Sequence, residues 1–142
     1  MKNKTRVFDI LSYIVKSGSD MKGKTFSEAT VKIKIGEITE HRVAEGNGPV
    51  NALDNAIRKA LIPHSPRLED VKLIDFGVKI NNGDDGTGAS VEVRMIFSGG
   101  TKNNWAASAI STDIIEASVN ALIEGYKKAP LFLKKIPVLD EP

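Results

Sequence analysis

Residues Glu45-Gly46-Asn47-Gly48-Pro49-Val50-Asn51-Ala52-Leu53 join what reads as a strand to what reads as a helix, through a turn nearly stripped of side chains. Two glycines permit close backbone approach, and Pro49 is pre-set for the first helical turn, where its missing N–H costs nothing. The N–H groups of that turn and the positive end of the helix dipole form a ready site for a carboxylate or phosphate. Alone, a G-x-G-P motif is weak and is more often only a strand-to-helix turn. Its meaning has to come from the flanking chain.

On both sides of this turn lies an internal repeat, each half reading strand, strand, strand, helix. Ala29-Thr30-Val31-Lys32-Ile33-Lys34-Ile35 alternates apolar and polar residues, and Ala89-Ser90-Val91-Glu92-Val93-Arg94-Met95 does the same, which predicts strands with one buried face. Apolar strands precede them, around Phe8 to Val15 and Val71 to Ile80. Third strands follow, Ile38 to Ala44 after Gly36-Glu37, and Asn104 to Ala109 after Gly99-Gly100-Thr101-Lys102-Asn103.

Each half closes with an amphipathic helix. Leu53, Ala56, Ile57, Ala60 and Leu61 fall at i, i+3, i+4, i+7 and i+8, and Pro63 stops the first. Ile115, Val119, Leu122, Ile123 and Tyr126 form the second stripe, with Ser111 or Thr112 as N-cap, Asp113 and Glu116 favouring the dipole, and Pro130 as the stop. The expected architecture is therefore α+β, a tandem (βββα)2 repeat of antiparallel strands packed on two helices. The units run over about 7–62 and 70–128, with 129–142 as a tail. Two helix starts at related positions make a pseudo-symmetric ligand site or dimer contact plausible.

Composition narrows the class. A chain of 142 residues, 41% hydrophobic and 27% charged, reads as one soluble domain over 1–142. A net charge of +2 provides no field for gripping nucleic acid or a membrane surface. No run approaches the roughly 18 apolar residues of a membrane span, and no signal-peptide apolar core follows Met1-Lys2-Asn3-Lys4. A cytoplasmic protein is expected. Zero cysteines exclude disulfides, thiolate metal sites and cysteine nucleophiles.

Other features carry plainer readings. Asn81 to Gly88 is acidic and glycine-rich, but it lacks EF-hand spacing and reads as a hairpin turn. His41 and His64 do not make a metal site and suit solvated or core roles. Trp105 lacks an aromatic ladder and reads as packing or a dimer contact, and Lys127, Lys128, Lys134 and Lys135 as solvated charge. No nucleophile, base and orienting residue can be nominated together.

The run from Glu45 to Leu61, then Val71-Lys72-Leu73-Ile74-Asp75-Phe76, then Ser111 to Ser118, closely resembles the C-terminal regulatory domain of the 2-isopropylmalate synthase and citramalate synthase family. The likeness spans about residues 7 to 128, and from Gly48 to Leu61 it is nearer the citramalate branch. It implies a non-catalytic allosteric domain that forms a homodimer and binds a branched-chain amino acid for feedback inhibition, isoleucine in citramalate synthases and leucine in isopropylmalate synthases. The family's metal-dependent acetyl transfer from acetyl-CoA uses a (β/α)8 barrel with an H-x-H pair. No such pair occurs here, and 142 residues are too few for a barrel. The barrel is therefore expected in the same protein or a separate chain. No cofactor or metal is expected on this chain.

Carried over, the resemblance nominates Gly46, Gly48, Val50 and Asn51 in the turn and Leu73, Asp75, Phe76 and Ile80 along the following strand, with Ala89 and Val91 as weaker candidates. The chemistry suits an amino acid: a carboxylate for the helix-start N–H groups, Asp75 for the ammonium, and Val50, Leu73, Phe76 and Ile80 for the aliphatic side chain. Strand alternation places Leu73 and Asp75 on one face and Phe76 and Ile80 on the other, unless a bulge intervenes. Two alternatives stay open, a leucine sensor and a dimerisation domain without effector. The second is kept alive by Ala109-Ile110-Ser111, where many relatives carry a glycine just ahead of the second helix cap.

Overall fold

In the computed structural model of the chain, residues 8–81, 83–100 and 103–129 are described, the side chains of residues 83–85 excepted. Pro130, Thr101, Lys102, Lys134, Lys135 and the remainder of the tail lie outside them. The alternation first seen at Ala29 governs the first unit. Strand β2 (Thr25–Ile35) buries Ser27, Ala29, Val31, Ile33 and Ile35 on one face and turns Glu28, Lys32 and Lys34 to solvent. It pairs antiparallel with β1 (Phe8–Ser19) and β3 (Ile38–Gly46), giving the order β1-β2-β3. The Gly36-Glu37 turn joins Ile35 to Ile38, with Gly36 at φ 61, a left-handed conformation suited to glycine.

Helix α1 (Pro49–Leu61) lays Ala52, Leu53, Ala56, Ile57, Ala60 and Leu61 on β2 and β3. It ends at Leu61, where Pro63 has no N–H to extend the ladder; Ile62 stays helical at φ −59 and ψ −39, and the chain continues as short 3-10 turns over Ile62–His64 and Pro66–Asp70. Phe8, Ile33, Ile35, Leu53, Ile57, Leu61 and Leu68 are fully buried.

The second unit repeats this order with β4 (Lys72–Ile80), β5 (Val91–Ser98), β6 (Asn104–Ser111) and α2 (Ile114–Lys128), again as a three-stranded antiparallel sheet in chain order. Two short 3-10 turns within Gly83–Gly88, broken at Gly86 with φ 59 and ψ −132, lie between β4 and β5. The expected α+β repeat of three strands and a helix is thus observed. The core centres on Phe97, which meets Tyr126 edge-on at 5.5 Å and stacks on Trp105 at 6.0 Å. Trp105 serves packing, as expected, and its indole N–H donates to Gly125 O at 2.7 Å near the end of α2. No helix among the described residues is long and apolar enough to cross a membrane.

The pairing register corrects how the halves overlay. Laying Ala29–Ile35 on Ala89–Met95 matches pattern but not position. Both first strands carry a bulge, between Ile10 and Ser12 and between Leu73 and Asp75, and beyond it Tyr13 faces Val31 as Phe76 faces Met95. Val31 therefore corresponds to Met95, four residues beyond the sequence overlay, and β5 begins at Val91 rather than Ala89. An alternating pattern fits any even slip, whereas hydrogen bonding selects one. Three strands extend past their expected ends, β1 to Ser19, β3 to Gly46 and β6 to Ser111.

A Cβ on Gly125 would overlap the ring of Phe97, with Cδ1 only 2.7 Å away. Gly125→Ala is expected to destabilise the second unit by about 1 to 3 kcal/mol, the usual cost of overpacking, measurable as a lower urea midpoint. An unchanged midpoint would mean that the ring shifts freely.

Candidate functional site

The join between β3 and α1 rests on a steric fact. A Cβ on Gly46 would collide with the Ala52 backbone N, and would lie 2.6 Å from Asn51 Oδ1 and 2.7 Å from Ala52 Cα. Only glycine lets the strand end so close to the first helical turn. Asn51 Oδ1 then accepts from Asn47 N–H at 2.8 Å, while Asn55 Nδ2 donates to Glu45 O at 3.0 Å, pinning strand to helix.

Gly48 plays a different part from the one its motif suggests. As N-cap it is extended, φ −164 and ψ 176, a conformation any residue adopts, and a Cβ there would meet nothing within 4 Å. It offers no side-chain cap, and the first turn of α1 holds no acidic residue. Ala52 N–H bonds to Gly48 O at 2.9 Å, whereas the N–H groups of Val50 and Asn51 have no hydrogen-bond partner among the described residues. The positive end of α1 is therefore uncompensated, with open space beside its cap.

The second helix start is closed. Its N-cap is Asp113 rather than Ser111 or Thr112, and Asp113 Oδ1 accepts from Ile115 N–H at 2.8 Å and Glu116 N–H at 3.3 Å. Ser111 Oγ accepts from Asp113 N–H at 2.9 Å and donates to Glu116 Oε1 at 2.6 Å. Since Ser27 opposes Gly46 and Val91 opposes Ser111, Ser111 corresponds to Gly46 and Asp113 to Gly48. The second unit thus carries its own anion where the first has none, and the expected pairing of two open helix starts reduces to one.

The strand candidates belong to the second unit. The bulge at Ile74 sets Leu73 opposite Phe97, Phe76 opposite Met95, Val78 opposite Val93 and Ile80 opposite Val91, so all four point to the face that carries the core. Asp75 opposes Ile96 and points the other way. The grouping expected from simple alternation is replaced, because the extra residue reverses every side chain before it. Asp75 Oδ1 accepts from Phe76 N–H at 3.1 Å.

Helix α2 covers β5 and β6 but leaves β4 bare, with Phe76 41%, Val78 46% and Ile80 57% exposed. Val91 is half-buried at the start of β5, and Ala89 is buried just ahead of it, its N–H bonded to Gly86 O. In the first unit a groove of about 540 Å3 flanks α1, lined by Ala44, Glu45, Asn55, Arg58, Lys59 and Ile62. It follows the side of the helix rather than its start.

The core role expected for His64 is observed, and its partner is what the sequence reading did not find. His64 is a core residue, and its Nε2 lies 2.7 Å from Glu40 Oε2 on β3, while its Nδ1 is buried without a partner among the described residues. Facing a carboxylate oxygen, Nε2 is placed to donate its hydrogen to Glu40. Histidine and glutamate 24 residues apart leave no local trace of such a bond. His41 is exposed on β3.

The two glycines can be told apart by substitution. Gly46→Ala is expected to lower the thermal midpoint clearly, because backbone atoms of α1 must move, whereas Gly48→Ala should cost at most about 1 kcal/mol as a poorer cap. Equal losses would refute the assignment of the close approach to Gly46.

Residues 1–129 match the LeuA allosteric (dimerisation) domain. An (R)-citramalate synthase of Geobacter sulfurreducens is 48% identical over 104 residues, 73% of this chain and 20% of that protein. An (R)-citramalate synthase of Streptomyces coelicolor is 36% identical over 121 residues, covering 85% of this chain and 22% of its own length. A 2-isopropylmalate synthase of Parabacteroides distasonis is 32% identical over 103 residues, covering 72% and 19%. The chain spans about a fifth of the length of these relatives. With its two three-stranded units, its glycine-built helix start and this match over nearly all its residues, the chain belongs to the LeuA allosteric (dimerisation) domain family.

Proposed function

We propose that this chain is the regulatory domain of a citramalate synthase-like acyltransferase, and that it binds free isoleucine to inhibit a catalytic barrel in the same or a separate chain. Both units, with the tail, act as one domain within a cytoplasmic homodimer. The observation that carries the reading is the start of α1, where two N–H groups without partners and an uncompensated dipole meet open space at Gly48. A carboxylate is the anion that suits such a start.

In this reading Gly46 shapes the turn, Gly48 leaves room, and Val50 and Asn51 donate to the carboxylate. The resemblance assigns the aliphatic contacts to Leu73, Phe76 and Ile80, with Ala89 and Val91. The shared face of the first three supports their acting together, and the opposite orientation of Asp75 argues against its meeting the same ligand. The bare face of β4 supports a homodimer, because exposed apolar strips on this scale mark association surfaces. Coupling to the barrel of about 1 to 3 kcal/mol would suffice for feedback control.

A leucine sensor differs by the placement of one methyl group, worth about 1 to 3 kcal/mol at most in an apolar site. The scaffold without effector draws on a separate observation: Asn51 Oδ1 already takes the Asn47 N–H, and Asp113 closes α2.

Parallel thermal melts with isoleucine, leucine and valine distinguish the three. A ligand at a hundredfold excess over Kd stabilises the folded state by about 2.7 kcal/mol, and the largest shift is expected with isoleucine. A larger shift with leucine would transfer the assignment, and no shift with any of them would leave the scaffold. Gly48→Val places its methyl groups in the open space and is expected to abolish the isoleucine shift while costing the unliganded protein only about 1 kcal/mol as a poorer cap. A retained shift would move the site away from α1.

A further inference from the structure

The outer edges of β3 and β6 are occupied by side chains of the helices that follow them. The two-residue turn between Ile35 and Ile38 sets which groups of β3 face β2, and leaves those of His41, Val43 and Glu45 on the open side. All three carbonyls accept a side-chain donor: His41 O from Arg42 Nη1 at 3.1 Å, Val43 O from Lys59 Nζ at 2.9 Å and Glu45 O from Asn55 Nδ2 at 3.0 Å.

In the second unit β6 is the corresponding edge. Ala106 O accepts from Lys128 Nζ at 3.0 Å, and Ser108 N–H donates to Glu124 Oε1 at 3.1 Å. Lys128 also pairs with Glu124 at 3.2 Å, which holds both side chains over the strand. In the register that matches the units, Lys59 stands where Glu124 does, and Val43 where Ser108 does. A cation takes a carbonyl in one unit, and an anion takes an N–H in the other. Unlike residues at one topological place thus both engage the open edge of the third strand.

An edge strand with free N–H and C=O groups is a template for any further strand. We propose that Asn55 and Lys59 on α1, and Glu124 and Lys128 on α2, are guards that block strand addition at β3 and β6. They confine self-association of this domain to its other surfaces. The groove beside β3, walled by Asn55 and Lys59, is the space such a strand would need.

The test is sedimentation velocity over a range of protein concentrations on the full chain carrying Asn55→Leu with Lys59→Met. The expected result is a shift of material to species larger than those of the wild type, growing with concentration, with the far-UV circular dichroism still native. Lys59→Arg keeps a donor and should sediment as wild type. Asn120→Leu adds an apolar residue at an exposed position of α2 and should also sediment as wild type. A folded double variant with the wild-type profile overturns the proposal, as does equal assembly by Asn120→Leu, which would make apolarity the cause. Should the double variant fail to fold, Glu124→Gln with Lys128→Met provides the same reading at β6. Loss of folding there as well overturns the proposal, because the side chains would then hold the core.

Discussion

The approach of the Gly46 backbone to the first turn of α1 is the contact on which the site depends. It brings Ala52 N and Asn51 Oδ1 into the volume a side chain would fill, so the helix begins immediately beside the end of β3. Asn51 then caps Asn47, and Gly48 is left extended with nothing against it. The N–H groups of Val50 and Asn51 stay open because the N-cap is a glycine without a side chain to accept from them.

The same strand-to-helix join is built twice with opposite electrostatics. At the first, a glycine cap and no acidic neighbour leave the helix dipole exposed. At the second, Asp113, Glu116 and Ser111 close it with a network of short hydrogen bonds. An anion would be repelled where a carboxylate already sits, so the repeated fold does not repeat the open helix start. Divergence at two corresponding positions, Gly46 against Ser111 and Gly48 against Asp113, is enough to separate an open helix start from a sealed one.

A second asymmetry lies within each unit. In each unit the helix lies mainly on the second and third strands; α1 still reaches β1, where Phe8 is buried, whereas β4 is left bare and exposes Phe76, Val78 and Ile80. The bulge at Ile74 makes that exposure coherent. Without it these residues and Leu73 would divide between the faces, whereas with it they form one strip. The third strand is the opposite case, its edge occupied by helix side chains. Each unit therefore has a third strand closed at its edge, and the second unit also has a first strand open on its face, in accord with a family described by dimerisation.

Periodicity in the sequence was enough to establish the six strands, the two helices and their order, because alternation and the 3.6-residue stripe are written locally at residues such as Val31, Ile33, Leu53 and Ile57. The glycine turn was legible for the same reason. The register was not, since a period of two is blind to an even slip, and neither the bulge at Ile74 nor the pairing of Phe76 with Met95 leaves a local mark. Which glycine bears the steric load, which residue caps α2, and where His64 finds its partner were settled only when distant segments came together. Those questions turn on which atoms lie within a few ångströms of one another, and spacing along the chain does not encode that.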